Sequence, residues 1–300
     1  MLSIFIPSFN HAPYVTEAIA SARLIDVPGK HIYVIDDASI DNSEEVISAY
    51  LAEVNAEDVT FIRKSENKGV IDSMITFLNL CKTEYIYVVS SDDIAIPDGI
   101  CELVRRLEES RTLQFIIGGG KNVLSDGRLT PIYGRKHNDL FRQSKEKFAE
   151  SIFLMDSSPL LCQSSVFRAS ALRDVEAVVP DIVADDYVIF SKLFLRYMRK
   201  GIDYDFLPTI DCVYYRHHGN NSYQRILRQV ATTLQVLEVV APKHIRGRAI
   251  AYKLSFFTLI SLRRRDFSSM LGILRLLRAR SVPSFVRGLA LNAYWWSKYR

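Results

Sequence analysis

Up to about residue 109, the chain alternates short apolar runs with stretches in which apolar residues recur every three or four positions. The apolar runs, rich in Val, Ile, Phe and Tyr, predict strands over residues 2–6, 31–35, 59–62 and 84–89. The periodic stretches predict helices over residues 10–22, 41–51, 70–80 and 97–109. Repeated strand–helix units favour an α/β fold with a Rossmann-like, mainly parallel sheet flanked by helices.

Polar side chains follow three of the four predicted strands. Residues 7–10 (PSFN) follow the first strand, Asp36 and Asp37 the second, and Asp92 and Asp93 the fourth. Ligands bind beyond the carboxyl ends of the strands in open α/β sheets, so we expect the three loops to converge at one edge. Adjacent carboxylates repel each other, and oxygen ligands in a loop suit Mg²⁺ or Mn²⁺. A solvated turn at residues 92–93 and an Asx-turn at residues 36–37 remain alternatives.

Two later polar clusters add candidates. Asp185 and Asp186 precede an apolar helical pattern, and a carboxylate at a helix N-terminus is stabilised as an anion. Such a group suits a general base, with an ordinary N-cap as the alternative. Residues 216–222 (RHHGNNS) combine an arginine and two histidines that can contact phosphate or a metal.

The middle of the chain is less regular. Residues 115–117 predict a strand, the glycine triplet at 118–120 a loop, and residues 125–127 a turn before the next strand. The triplet lacks the spacing of a phosphate-binding loop and is weak evidence for a phosphate site.

Charge divides the chain into two regions. The 300 residues carry a net charge of +4, but residues 225–300 hold 15 Lys/Arg and 2 Asp/Glu, whereas residues 1–224 hold 23 and 32. We therefore expect a catalytic domain over residues 1–224 and a basic, helical C-terminal segment over residues 225–300. Basic helices with aromatic ends could lie on an anionic membrane, pack on the domain, or mediate homo-oligomer formation. No recognition motif for nucleic acid accompanies the charge.

The cysteines and the termini indicate the compartment. Cys81, Cys101, Cys162 and Cys212 form no C-x-x-C pair, which disfavours a disulfide framework or a zinc ribbon. The N-terminus lacks the pattern of a signal peptide. The apolar run at residues 254–262 is far shorter than the roughly 20 residues that span a bilayer. These features predict a cytoplasmic protein, with peripheral contact on the cytoplasmic membrane face left open.

Ordered motifs then carry a family resemblance over roughly residues 1–222. The segments are LSIFIPSFN (2–10), VIDDASIDN (34–42), SENKGV (65–70), SSDD (90–93) with IPD (96–98), ADDY (184–187) and YRHHGNNS (215–222). Together and in this order they resemble the motifs of family 2 glycosyltransferases. The resemblance implies a GT-A fold and an inverting transfer from a nucleotide-diphosphate sugar.

The resemblance also assigns expected roles to individual residues. Asp186 would be the catalytic base, supported by Asp185, and Asp93 would bind Mg²⁺ or Mn²⁺ with help from His218. The residues expected to bind the donor nucleotide are Pro7, Phe9, Asn10, Asp37, Lys68 and Asp92, and those expected near the diphosphate are Arg216 and Asn221. The chain departs from the family where Ser90 stands in place of a usual Asp, and where Asp185 stands in place of a common Glu.

The expected function is sugar transfer to a hydroxyl acceptor in surface polysaccharide biosynthesis. A UDP-sugar is the favoured donor, and a saccharide or lipid-linked saccharide the expected acceptor. One alternative is a sugar-nucleotide nucleotidylyltransferase, but the loop at residues 7–10 lacks the glycines and the basic residue that such an enzyme needs. A second alternative is a degenerate, non-catalytic protein that binds nucleotide sugars.

Overall fold

The computed structural model of the chain describes residues 1–154, 160–180, 182, 185–217 and 226–298. Its strands are β1 (Leu2–Ser8), β2 (His31–Asp36), β3 (Val59–Arg63), β4 (Tyr85–Val88), β5 (Ile94–Ala95), β6 (Phe115–Val123), β7 (Leu129–Pro131), β8 (Ser165–Arg168) and β9 (Tyr204–Arg216). Its helices are α1 (Val15–Arg23), α2 (Ser43–Glu53), α3 (Val70–Leu80), α4 (Pro97–Glu109), α5 (Arg135–Phe141), α6 (Lys145–Leu154), α7 (Ala169–Asp174), α8 (Asp185–Arg196), α9 (Ile226–Val240), α10 (Lys243–Arg263), α11 (Phe267–Arg275) and α12 (Val282–Lys298).

The first four strands form the parallel half of the sheet, in the order β3–β2–β1–β4. This half confirms the predicted α/β class, and α3 and α4 have the predicted bounds. Helix α1 begins at Val15, five residues later than predicted. Asn10 has a left-handed backbone (φ 56°), and its Oδ1 accepts a hydrogen bond from the Ile40 amide at 2.8 Å. The stretch before α1 is therefore a loop tied to the loop after β2.

The second half of the sheet is mixed. Strand β8 runs antiparallel between β4 and β6, β9 is parallel to β6, and the short β5 is antiparallel to β9. The prediction of a loop at the glycine triplet is wrong, because residues 118–120 lie within β6. A Cβ on Gly119 would lie 2.2 Å from the Pro208 carbonyl oxygen, and the register between β6 and β9 shifts on both sides of this residue. The glycines thus allow close contact between two irregularly paired strands.

Each face of the sheet has its own apolar core. Alternate residues of β1 point to opposite faces, so Ile4 and Ile6 pack beneath α1, α2 and α4, whereas Phe5 stacks on Phe77 of α3 at 4.8 Å between ring centroids. The second face is rich in aromatic side chains from β6, α6 and α8, and also contacts α5. These two cores hold the strand ends in place.

The C-terminal helices pack on this sheet domain. Val236 and Leu237 of α9 belong to the aromatic core of the second face, and Arg248 of α10 pairs with Glu150 of α6 at 2.6 Å. A further small core joins α9, α10, α11 and α12, with Ile273 and Phe285 buried in it. None of the helices in the described part of the chain combines the length and the apolar character needed to cross a bilayer.

Candidate active site

The structure brings the three polar loops of the strand ends together. The Asn10 amide donates to Ser39 Oγ at 2.8 Å, which joins the loops after β1 and β2. His11 Nδ1 lies 2.8 Å from Ser91 Oγ, which joins the loop after β1 to the loop after β4. These contacts form one edge of the sheet from three separate segments.

Asp36 and Asp37 have different surroundings. The buried Asp36 accepts hydrogen bonds from the amide and hydroxyl of Ser39 at 2.8 and 2.5 Å, which is the local turn that the sequence left open as an alternative. Asp37 Oδ1 accepts from Lys64 Nζ at 2.8 Å and from the Lys68 amide at 3.1 Å, while its Oδ2 accepts from the Gly69 amide at 2.6 Å. Three donors therefore fix the orientation of the Asp37 carboxylate.

Two features that sequence reasoning missed support Asp37. Lys64 is largely buried and also pairs with Asp72 at 2.6 Å, so one cation joins two carboxylates. Gly69 precedes α3 with φ 86°, a conformation that favours glycine and aims its amide at Asp37. The only signal in the sequence was a lysine at the end of a strand, next to the SENKGV segment.

Other residues expected at the nucleotide lie at the same edge of the sheet. Pro7 is half-buried near the end of β1, and its carbonyl accepts from the Ser91 amide at 3.3 Å. Phe9 is 41% exposed, so its ring is available at the rim of the edge. Lys68 directs its side chain to Glu66 at 2.9 Å, and only its backbone contacts Asp37.

Asp93 is a buried carboxyl group whose charged form is disfavoured by its surroundings. Its side chain is buried, its Oδ1 accepts from the Arg216 amide at 2.9 Å, and its Oδ2 has no hydrogen-bond partner among the described residues. Burial raises the pKa of Asp93 well above its usual range, and the nearby charges of Asp92 and Asp186 raise it further, whereas Arg216 opposes this. A cation beside Oδ2 would offset both the burial and the repulsion.

The residues present fit a divalent cation at Asp93. A buried carboxylate oxygen without a donor is the type of ligand that Mg²⁺ and Mn²⁺ prefer. The described residues include no group of three His, Cys, Asp or Glu side chains that could hold a metal by themselves, so further ligands would have to come from elsewhere. His218 and Asn221 lie outside the described residues.

Asp92 and Arg216 lie next to Asp93. Asp92 Oδ2 is 3.8 Å from His11 Nε2. The Arg216 guanidinium pairs with Glu17 and lies over the Tyr14 ring at 5.4 Å, so it contacts α1 while its backbone holds Asp93. The short pairing of β5 with β9 explains this position, because it places Ile94 opposite Tyr214.

Asp186 lies in the first turn of α8, within electrostatic reach of Asp93. Its Oδ1 accepts from the Cys162 amide at 2.8 Å. The side chain of Asp185 lies outside the described part of the structure. The base candidate and the metal candidate, 93 residues apart in sequence, thus share one electrostatic environment.

The turn at Cys162–Ser164, which holds Asp186, was not identified from the sequence. The buried Tyr133 hydroxyl accepts from the Leu161 amide at 2.8 Å and lies 2.8 Å from Ser164 Oγ. Gln163 Nε2 donates to Ser90 Oγ at 3.0 Å, so this amide joins the turn to the loop after β4. Ser90 stands at the position where the family often has Asp. Through Gln163 it links the loop that carries Asp93 to the turn that contacts Asp186.

Comparison with known proteins agrees with this geometry. The model of the family described as glycosyl transferase family 2 matches residues 3–172. The chain belongs to this family. The resemblance drawn from the ordered motifs is therefore confirmed.

Curated relatives include polysaccharide synthases. Chondroitin synthase of Escherichia coli is 23% identical over 254 residues, which cover 82% of this chain and 32% of that protein. The poly-beta-1,6-N-acetyl-D-glucosamine synthase of Staphylococcus epidermidis is 21% identical over 202 residues, covering 65% of this chain and 46% of that protein. The chain thus spans about a third to a half of the length of these two relatives.

Solved structures show the fold. TarS 1–349 of S. aureus in complex with UDP-GlcNAc has a TM-score of 0.62 at 17% identity, covering 96% of this chain and 79% of that one. A mannosyltransferase of Pyrobaculum calidifontis in complex with GDP-Man and Mn²⁺ has a TM-score of 0.57 at 14% identity, covering 98% and 86%. The expected GT-A fold with C-terminal helices is confirmed.

Proposed function

We propose that the protein transfers a sugar, with inversion, from a nucleoside-diphosphate sugar to a hydroxyl acceptor in polysaccharide biosynthesis. The observation that carries the proposal is the buried Asp93 Oδ2, which has no hydrogen-bond partner among the described residues, together with the charge of Asp186, which contributes to the raised pKa of Asp93. A UDP-sugar is the favoured donor, and the TarS complex with UDP-GlcNAc supports this choice. The polysaccharide synthases among the relatives support a saccharide acceptor, and a lipid-linked saccharide is the other acceptor that we propose.

The nucleotide is proposed to bind at the edge where Asp37 lies. Lys64, Lys68 and Gly69 hold the Asp37 carboxylate, which leaves its further lone pairs to accept N–H groups of the base. The exposed ring of Phe9 and the side chain of Pro7 offer a surface for the base. Asp92, beside His11, would accept from the ribose.

The divalent metal is proposed to bind at Asp93, with His218 as the expected second ligand. When bound, Mg²⁺ or Mn²⁺ neutralises negative charge on the nucleoside diphosphate as it leaves. The mannosyltransferase complex with GDP-Man and Mn²⁺ supports a metal in this fold.

Asp186 is proposed to remove the proton of the acceptor hydroxyl. Its position at the start of α8 favours the carboxylate form, and the Cys162 amide, which donates to Oδ1, helps to orient that carboxylate. The acceptor oxygen then bonds to the anomeric carbon as the bond to the diphosphate breaks, and that electron pair leaves with the nucleoside diphosphate. Attack from the face opposite the leaving group inverts the anomeric carbon.

The test is Asp186→Asn, with Asp174→Asn as the matched control, since Asp174 is a surface carboxylate that pairs with Arg196. Removing a general base lowers turnover about 10²- to 10⁴-fold, whereas UDP-sugar binding measured by calorimetry with Mn²⁺ should persist. The wild type is first assayed with UDP, GDP, dTDP and CMP sugars, each with and without Mn²⁺. Unchanged turnover in Asp186→Asn would exclude this base, and binding without turnover in the wild type would favour the non-catalytic alternative.

A further inference from the structure

We propose that α11 and the start of α12 form a surface that docks on an anionic lipid bilayer. We call this surface the outer face. Its apolar side chains, each between 38% and 59% exposed, are Phe267, Leu271, Leu274, Val282 and Val286. Its exposed basic side chains are those of residues 263–265, Arg275, Arg278, Arg280 and Arg287.

The apolar side chains of the outer face follow helical spacing. Phe267, Leu271 and Leu274 stand at positions i, i+4 and i+7, so they share one side of α11. The opposite side carries Ile273, which is fully buried against α9 and α10. Helix α11 is thus apolar on both sides, and only one side is covered by the protein.

The start of α12 repeats this arrangement. Val282 and Val286 are exposed, whereas Phe285 is buried in the same small core as Ile273. Only the six residues 276–281 separate the two helices. The exposed apolar side chains of both helices therefore face away from one shared core.

The charges of the C-terminal segment divide into two groups. On the side toward the sheet domain, cations are paired: Arg248 with Glu150 at 2.6 Å and Lys298 with Asp139 at 3.0 Å. By contrast, within the described residues, none of the seven arginines of the outer face forms an ion pair with a carboxylate. Between residues 263 and 287 the sequence holds one acid, Asp266, which caps α11 by accepting from the Ser269 amide at 2.9 Å. The outer face is therefore strongly cationic.

An anionic bilayer matches both the positive charge and the exposed apolar side chains of the outer face. Arginines bind lipid phosphates through charge-assisted hydrogen bonds, while the apolar side chains enter the boundary between headgroups and acyl chains. The nine residues of α11 extend about 14 Å, a length suited to lying along the surface. A second copy docked through the same face would bring two sets of arginines together, and nucleic acid would leave the apolar stripe unburied.

Binding of the outer face to a bilayer would determine where the protein is located, and it does not depend on the proposed reaction. If the acceptor is lipid-linked, as the proposed function allows, the contact would bring the enzyme and the acceptor into one plane. Binding to lipid without acceptor is therefore the property to measure, and failure of the reaction would leave it untouched.

The test is co-sedimentation of the full chain with vesicles of phosphatidylcholine, with or without phosphatidylglycerol. Binding is expected only to the anionic vesicles and should weaken as salt is added. The variant Arg275→Gln/Arg278→Gln/Arg280→Gln should bind about a hundredfold more weakly, since each arginine near the surface contributes about fivefold. The variant Phe267→Ser/Leu271→Ser/Leu274→Ser should lose about tenfold or more through reduced burial of apolar area.

The charge-matched control is Arg105→Gln/Arg128→Gln/Arg196→Gln, which removes three exposed, paired arginines of the sheet domain. It should bind the anionic vesicles nearly as well as the wild type. Equal losses in both arginine variants would reduce the effect to overall charge and overturn the proposal. So would a serine variant that binds vesicles normally but changes from dimer to monomer by light scattering, which would make the outer face a contact between copies.

Discussion

Asp93 and the arginines of the outer face both carry charges that no opposite charge among the described residues fully compensates, but they differ in burial. Asp93 is 1% exposed, so an oxygen that has no hydrogen-bond partner among the described residues costs folding free energy. The arginines of the outer face are exposed, where an unpaired charge costs little. Unpaired charge therefore points to a ligand by itself at Asp93, whereas at the outer face it does so only together with the exposed apolar stripe.

The two regions also differ in how the chain builds them. Asp93 is held by Arg216, 123 positions away, and Asp186 is held by a turn that Tyr133 anchors. The outer face comes from the consecutive residues 263–287. A site assembled from distant segments depends on the whole fold, and a surface built from adjacent helices depends mainly on their local packing.

The largest effect is expected at Asp93, where the cost of a buried charge can be tested directly. Asp93→Asn should reduce turnover more than about a hundredfold, because the metal supplies several kcal/mol of charge stabilisation. The same change should raise the free energy of unfolding without metal by about 1–3 kcal/mol, since a buried charge is removed. Urea unfolding in a chelator and a transfer assay measure the two effects. Asp174→Asn, at an exposed carboxylate outside the site, is the control. A less stable Asp93→Asn protein would show that burial does not disfavour the Asp93 carboxylate.

A second prediction compares a buried lysine, Lys64, with an exposed lysine, Lys68, within the site. Lys64→Met removes the cation between Asp37 and Asp72 and should cost about 3 kcal/mol of unfolding free energy, because it leaves a buried carboxylate less compensated. Lys68→Met, which removes an exposed pair with Glu66, should leave the free energy of unfolding nearly unchanged, because solvent screens an exposed ion pair. Chemical denaturation of both variants checks the difference. Equal losses would mean that Lys64 is not the cation that supports Asp37.

The smallest expected effect concerns the outer face. Leu271→Ser should change the free energy of unfolding by no more than about 0.5 kcal/mol, because its side chain already faces solvent. Ile273→Ala, two positions along the same helix, should cost about 2–4 kcal/mol through loss of buried volume. A large loss for Leu271→Ser in thermal or urea unfolding would show that the protein itself covers this face.

The spacing of apolar residues predicted the helices whose bounds depend only on their own segments. Helices α3 and α4 have the predicted bounds, because apolar spacing and Pro97 mark them within the segments themselves. The antiparallel insertion of β8 between β4 and β6 was not predicted, since strand order depends on pairing between distant segments. The glycine triplet was misinterpreted for the same reason: its role depends on how closely β9 approaches β6.

The candidate site shows the same division. Ordered motifs indicated Asp37, Asp93 and Asp186 as candidates, because side chains at strand ends and helix starts carry a signal in the sequence. Lys64, Tyr133 and Gln163 carry no such signal, since each acts through a partner brought near by folding.

The sequence by itself determined the family, the alternation of strands and helices, and the positions of the acidic clusters, because these depend on residue type and short spacing. Only the tertiary structure decided how each carboxylate is held: Asp36 forms a local turn, Asp37 is held by Lys64, and Asp93 has one oxygen without a hydrogen-bond partner among the described residues. It also decided that the basic segment places cations paired with carboxylates toward the sheet domain, and outward the arginines that form no ion pair with a carboxylate in the described part of the chain. The physical reason is that desolvation and charge pairing depend on distances in space, which spacing along the chain does not contain.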